Sequence, residues 1–348
     1  MRVALVHHRL AAGGGGMERY LADLVRGFQD AGDAVQVFAR EIDPQVAQRL
    51  RVTALPVPTL PAPRFWRTAL FSRAVQRLEL MQQHELVISL ARTAGQHVHV
   101  CGGTHPGYLE ALGIAPGYRD RCEIAAERAA VARSRHVVAH AQGLAEELRR
   151  AYAVPEARLH VLYPPLDTDV FGPADEAQRA AARRELGLDP ALKYFVFPSM
   201  GHARKGFDLV LEAMAELQEQ PVRLLVAGRD PGHGLPGNVQ ALGYVRDMRR
   251  LYHAVDGTLL PSRYEPFGLV LAESLQCGTP VITSALAGVA ELMQPGDGIV
   301  LSQLSARTVR EAILQLCEAH LRPAPRFAER NGLTLVEHVE ELKAVVSC

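Results

Sequence analysis

"GTLLPSRYEPFGLVLAESLQCGTPVITS", residues 257–284, contains the smallest complete piece of a parallel α/β architecture. GTLLP reads as a short apolar strand ending at Pro261, and a turn carrying Pro266 and Gly268 follows. LVLAESLQ then reads as a helix stopped by Gly278, and PVITS opens the next strand. Two apolar runs joined through a helix imply a crossover connection, so the strands lie parallel in one sheet. Glu265 falls in the turn and Glu273 within the first two turns of the helix, so the two carboxylates need not touch. The N–H groups of Phe267, Gly268, Leu269 and Val270 sit at the helix start, where donors without intrahelical acceptors suit a phosphate.

The same alternation extends in both directions. Upstream, RVALVH, AVQVFA, ELVISL, HVHVCG, HVVAHA and LHVLYP read as strands, with helical stretches near 17–31, 64–82, 119–134 and 142–152. After Pro164-Pro165 and a polar, Ala-rich stretch, a second set begins: YFVFPS, VRLLVAG, VQALGYV, GTLLP, PVITS and GIVL. This predicts two doubly wound domains, 1–167 and 168–328, followed by a terminal segment 329–348. In that segment LTLVEHVEELKAVV places Leu335, Val339, Leu342 and Val346 on one helical face that needs a groove to cover.

Composition agrees with a two-core protein. The chain has 348 residues with 48% hydrophobic content and no apolar run long enough to span a bilayer. A formal net charge of zero gives no overall electrostatic case for nucleic acid. The start, MRVALVHHRL, interrupts its apolar run with histidines and lacks a small-residue cleavage site, which points to a cytoplasmic protein. Five scattered cysteines argue against a disulfide framework and against CxxC metal sites. Only Lys193, Lys205 and Lys343 are lysines, and every other basic residue apart from histidine is Arg.

Ligands of doubly wound sheets bind beyond the carboxyl ends of the strands, so the loops there carry the functional reading. AAGGGGMERY, 11–20, follows the first strand, and its Gly14, Gly15 and Gly16 allow close backbone approach at a helix start. It does not meet the dinucleotide fingerprint, because Glu18 or Arg19 stands where the third glycine belongs. Glu41 could still hold a ribose, so this loop alone leaves an NAD enzyme open. SMGHARKGFDLV, 199–210, places Arg204 and Lys205 just ahead of a helix start, where cations oppose the helix dipole and call for an anionic ligand. Lys at 205, in a chain that otherwise chooses Arg, supplies a point charge with three donors rather than a fork.

With these residues in view, EPFGLVLAESLQCGTPVI resembles the E-x7-E signature of the retaining GT-B glycosyltransferases of family 4. GGGGMERY resembles that family's glycine loop, RKG its phosphate-binding basic pair, and the tail helix the one that crosses back onto the first domain. The adjacent RK pair and GGTH followed by Gly-Tyr resemble the lipopolysaccharide-core glucosyltransferase subgroup. The resemblance implies two Rossmann-like domains facing a cleft, the first binding the acceptor and the second the nucleotide-sugar.

It also implies roles. Glu273 would accept hydrogen bonds from ribose hydroxyls and Glu265 from the donor sugar, while Arg204 and Lys205 would neutralise the diphosphate. His105, in CGGTHPGY, matches the histidine placed beside the donor sugar; Tyr244, Val245 and Arg246 would lie near the base, mostly through backbone atoms. A UDP-sugar is the first donor implied and GDP-mannose the second, with transfer to a glycan or lipid-linked acceptor by front-face substitution, without metal or other cofactor. Asp167–Asp169, DTD, reads as a hinge rather than a metal motif. Departures from the family pattern are PPLD at the domain junction and Ser199 where an Arg is common.

One further segment bears on the acceptor. PAPRFWRTALFSRAVQRLELMQQ, 61–83, holds Arg64, Arg67, Arg73 and Arg77 with Phe65, the sole Trp66, Leu70 and Phe71. Such a stretch suits an anionic membrane on the inner face of the plasma membrane, a phosphorylated acceptor, or an ordinary helix docked on its sheet. Other classes compatible with two such domains are an NAD-dependent oxidoreductase and a catalytically silent sugar-nucleotide-binding protein.

Overall fold

The computed structural model describes residues 1–11, 15–319 and 321–347, with the side chain of Arg64 outside that description. Two compact units form, one from Met1–Pro165 with Thr334–Cys348 and the other from Leu166–Leu333.

The first unit has strands β1 (Arg2–Leu10), β2 (Ala34–Ile42), β3 (Thr53–Pro56), β4 (Leu86–Ser89), β5 (Val98–Cys101), β6 (His136–Ala139) and β7 (Leu159–Val161). They form one parallel sheet in the order β3-β2-β1-β4-β5-β6-β7, so the strand order reverses between β1 and β4. Its connecting helices are α1 (Gly16–Asp30), α2 (Pro44–Arg49), α3 (Arg67–Gln76), α4 (Leu80–Gln83), α5 (His105–Ala111), α6 (Tyr118–Arg133) and α7 (Gln142–Tyr152). The period of two along β1 divides the core: Val3 and Leu5 pack with Leu21, Leu24 and Phe28 of α1, whereas Ala4 and Val6 pack with Phe71 and Val75 of α3. Being covered on both faces, the central strands can be apolar throughout, which is why the sequence reads as continuous apolar runs.

The second unit has strands β8 (Lys193–Ser199), β9 (Val222–Gly228), β10 (Val239–Gly243), β11 (Gly257–Leu260), β12 (Val281–Ser284) and β13 (Gly298–Leu301). Their order is β10-β9-β8-β11-β12-β13, again all parallel, with the reversal between β8 and β11. Its helices are α8 (Glu176–Glu185), α9 (Phe207–Glu216), α10 (Met248–Ala254), α11 (Leu269–Gln276), α12 (Ala306–Ala319) and the short α13 (Phe327–Arg330).

The tail helix α14 (Leu335–Val345) completes the first unit. Thr334 caps it, accepting from the Glu337 N–H, and Val339, Leu342 and Val345 join the core that α1 covers. Close approach depends on Gly27: a Cβ there would lie 2.7 Å from the Leu335 side chain.

Two sequence expectations need correction, and one strand had no counterpart among them. The unit boundaries fall at 165/166 and 333/334 rather than 167/168 and 328/329. The reason is that Ala328 N–H donates to Gln276 Oε1 at 2.9 Å and Leu166 N–H to Leu333 O at 2.8 Å, tying residues up to 333 into the second unit. The helix expected over 64–82 is interrupted: a 3-10 turn covers Arg64–Trp66, α3 ends at Gln76, and Glu79 adopts a left-handed conformation before α4. Strand β3, TALP, lies at the sheet edge with a largely exposed pattern ending in Pro56, which gives it no apolar signature.

Candidate functional site

In the second unit, Phe195 and Val196 of β8 pair with Gly257 and Thr258 of β11, so the loops after these two strands emerge side by side at the strand-order reversal. The first loop, 200–206, carries Arg204 and Lys205, and the second, 261–268, carries Glu265. Backbone bonds join them: Arg263 N–H donates to Arg204 O at 2.8 Å and Tyr264 N–H to the same oxygen at 3.3 Å. Gly206 makes this possible. Its φ is +73°, and a Cβ there would lie 2.2 Å from Pro261 O.

The side chains converge on one carboxylate. Arg204 Nη1 donates to Glu265 Oε2 at 2.9 Å and to Tyr264 O at 3.0 Å. Lys205 Nζ lies 4.0 Å from Glu265 Oε2 and donates to Pro198 O at 3.0 Å. Two cations around one carboxylate give this trio a net positive charge, with buried Glu273 acting on Lys205 as a second carboxylate and the Lys205 side chain only 9% exposed. Burial lowers the lysine's pKa below its ordinary value, and Glu265 opposes that shift. A buried cation without full compensation favours an anionic ligand.

Beside the cluster, α11 begins at Leu269, capped by Gly268. The N–H groups of Gly268, Leu269 and Val270 find no acceptor among the described residues, and they point out of the helix start as donors. Phe267 is buried, its carbonyl accepting from Val289 N–H at 2.8 Å. Glu273 lies further along α11 and is buried at 1% exposure, with Tyr252 Oη donating to its Oε2 at 3.2 Å. At the end of β10 the backbone runs outward: Tyr244 is 66% exposed, Arg246 is exposed, and Val245 packs partly against the core containing Tyr194 and Leu251.

In the first unit, His105 opens α5, whose cap Thr104 accepts from Gly107 N–H at 2.9 Å and donates to Glu147 at 2.7 Å. The histidine is held at two points. Its backbone N–H donates to Glu127 Oε2 at 2.8 Å, and its ring Nε2 lies 2.9 Å from Asp120 Oδ1. A carboxylate only accepts, so Nε2 carries a proton. The bond from His105 holds the Asp120 carboxyl below the usual carboxylate range, helped by the Gly117 N–H. Glu127, buried at 1% exposure, also accepts from Tyr152 Oη and, through Oε1, from Arg92 Nε at 3.0 Å.

The remaining expected positions are dispersed. Gly15 caps α1 and Gly16 is its first residue, both exposed, while Gly14 lies outside the described residues. Trp66 is 53% exposed, Arg73 and Arg77 are exposed on and just after α3, and Arg67 Nε donates to Ala62 O at 3.2 Å. Asp167 closes a turn, accepting from Asp169 and Val170 N–H groups at 3.2 Å. No group of three or more His, Cys, Asp or Glu among the described residues is placed to hold a metal ion, and no helix among them is long and apolar enough to cross a membrane.

Sequence reasoning missed the residues that act through others. Asp120, Glu127 and Arg92 reach His105 from α6 and the end of β4, and Tyr252 reaches Glu273 from α10. His202, with Nδ1 2.9 Å from Ser199 Oγ and Nε2 3.2 Å from Arg229 O, fixes the loop that carries the basic pair. Only the capping spacing from Gly117 to Asp120 could have flagged one of them.

Comparisons with known proteins place this geometry. Residues 14–170 match the family model described as Glycosyltransferase Family 4, and residues 193–319 match glycosyl transferases group 1. A probable transglycosylase from Burkholderia thailandensis is 36% identical over 337 residues, 94% of this chain and 92% of that protein. Among solved structures, WaaG, a glycosyltransferase involved in lipopolysaccharide biosynthesis, superposes with a TM-score of 0.80 at 21% identity, covering 99% of this chain and 97% of WaaG. Anabaena HepE, solved with UDP and glucose, does so with a TM-score of 0.77 at 17% identity, covering 100% and 99% of the two chains. The chain thus belongs to the family 4 glycosyltransferases, and its two Rossmann-like units are those of the GT-B fold.

Proposed function

We propose that the protein is a retaining hexosyltransferase that uses a nucleoside diphosphate-sugar, UDP-glucose first and GDP-mannose second, and transfers the sugar to a glycan or lipid-linked acceptor such as a lipopolysaccharide core. The observation that carries this reading is the net positive Arg204–Lys205–Glu265 cluster beside the free amides of Gly268, Leu269 and Val270. A diphosphate fits between the ammonium and the helix start, where both favour negative charge. HepE was solved with UDP and with UDP-glucose, which supports a uridine nucleotide here.

In this reading Arg204 and Lys205 hold the diphosphate, and their contacts strengthen as the bond from its oxygen to the anomeric carbon breaks. No metal or other cofactor takes part in this scheme. Glu265 orients donor-sugar hydroxyls while its Oε2 keeps Arg204 in place, and Glu273 holds the ribose. His105 accepts from the donor sugar through Nδ1, since Nε2 donates to Asp120. The acceptor oxygen bonds to the anomeric carbon on the face the diphosphate leaves, and its proton passes to the departing phosphate oxygen. Tyr244, Val245 and Arg246 serve the base, and the glycines Gly14, Gly15 and Gly16 serve the donor. The arginines of 64–77 meet the acceptor, at an anionic membrane surface on the cytoplasmic side.

Thermal shift against UDP, UDP-glucose, GDP, GDP-mannose and NAD tests the reading. A cognate sugar nucleotide at a hundred times its Kd stabilises by about 2.7 kcal/mol, and Lys205→Ala and Glu273→Ala should lose most of that shift. Stabilisation by NAD alone, or a shift undiminished in both variants, would overturn it. For the front-face step, a glycosylated protein accumulating in rapid-quench experiments is the contrary result.

A further inference from the structure

In the first unit, α3 and α6 run beside each other and leave a groove of about 530 Å³, within the range of small-molecule sites. One wall carries Phe65, Trp66 and Leu70. Facing it, α6 contributes small side chains, Ala125, Ala126 and Ala129. The aromatic end is extended by Tyr118, whose ring lies 5.5 Å from that of Phe65. Among the described residues, no carboxylate lines the groove.

Its polar lining is already used or cationic. Ser72 Oγ accepts from Ala94 N–H at 3.1 Å, and Gln76 Nε2 donates to Ser72 O and Oγ, both at 3.1 Å. Hydroxyls of a saccharide would find few partners there, whereas hydrocarbon would meet aromatic and methyl surface. Arg73 and Arg133, the two charged residues of the lining, make no ion pair among the described residues. Trp66 and Arg73 stand seven residues apart across the start of α3, roughly 10 Å along a helix axis. The groove therefore offers an apolar slot with Arg73 about two turns along α3 from Trp66 and Arg133 in its α6 lining, and guanidinium is the side chain best matched to a phosphate.

We propose that the α3–α6 groove binds a single hydrocarbon chain bearing a phosphate, the form in which a membrane lipid phosphate presents itself. Its place in transfer, as the anchor of a lipid-linked acceptor, rests on the glycosyltransferase reading above; the binding does not.

Trp66 is the only tryptophan of the chain, so its emission reports on the groove directly. Titration of the protein with decyl phosphate below its micelle concentration should give a saturable blue shift, whereas decanol and inorganic phosphate at the same concentration should leave emission unchanged. Arg73→Gln with Arg133→Gln should raise the apparent Kd at least tenfold. Ala125→Phe, which fills the slot, should abolish the saturable shift, with circular dichroism and the UDP thermal shift confirming that the fold persists. An equal shift with decanol, a shift that appears only with micelles, or a Kd unchanged in the arginine variant would overturn the proposal. Failure of every sugar nucleotide to stabilise the protein would sink the transfer reading while leaving decyl phosphate binding standing, so the two are separable.

Discussion

Beyond the carboxyl ends of its strands the first unit gathers His105 and a carboxylate network, whereas the second gathers two cations around a single carboxylate. Among the described residues, the fully buried histidines, His7, His84, His97, His99, His140 and His338, all lie in the first unit. The second unit buries Lys205 and Glu273 instead. In the first, each buried charge is satisfied within the fold: Glu127 accepts from an arginine, a tyrosine and a backbone amide. In the second, Lys205 is buried beside Arg204 and Glu265, with buried Glu273 also acting on it. Two sheets of one architecture thus carry different buried groups, histidines in the first unit and an ionic Arg204–Lys205–Glu265 cluster in the second.

Acid should split the units most sharply. Burial pushes His99 and His140 down to about 4 and His338 to about 3, from an ordinary value of 6.5. Because these folded-state values are depressed, the unfolded chain takes up protons first. Stability is complete above pH 6.5 and drains as pH falls toward 4, by up to about 3 kcal/mol per histidine. Hydrogen exchange followed by mass spectrometry should show the first unit losing protection across that window before the second; simultaneous loss would refute the contrast.

Lys205→Ala should act in the opposite sense, on binding rather than on folding. Removing a preorganised cation costs on the order of 3–4 kcal/mol in the transition state, so kcat/KM for a sugar nucleotide should fall several hundredfold while the melting temperature hardly moves. A large melting change would mean that the lysine is structural. Leu342→Ala, at 0% exposure in the tail helix, should cost about 2–5 kcal/mol of stability measured by urea unfolding, confined to the first unit. Tyr252→Phe should be mildest. Losing one donor to Glu273 costs about 1 kcal/mol, read as a KM rise of several-fold for the nucleotide with kcat little changed.

The strands and their parallel arrangement were legible because both faces of each sheet are covered, so RVALVH and YFVFPS read as unbroken apolar runs. β3 was not, since an edge strand with exposed residues and a proline has no such pattern. The tail helix announced its buried face through Leu335, Val339 and Leu342, although not the glycine at 27 that admits it. In the candidate site, Arg204, Lys205 and Glu265 stood out because they interrupt apolar context at loop positions, and Glu273 because it interrupts an apolar helix. Their ion pairing with one another did not, nor did Asp120 and Glu127, because contacts between residues 15 to 61 positions apart are made by tertiary packing and leave no local period.

The return of α14 to the first unit fixes an order of events during synthesis. Residues 166–333 hold all the strands of the second sheet and can finish folding as they leave the ribosome, whereas the first sheet lacks the cover of Val339, Leu342 and Val345 until residues beyond 334 emerge. The half that is translated first is therefore the last to complete its core, and that flank stays uncovered while the other half is made.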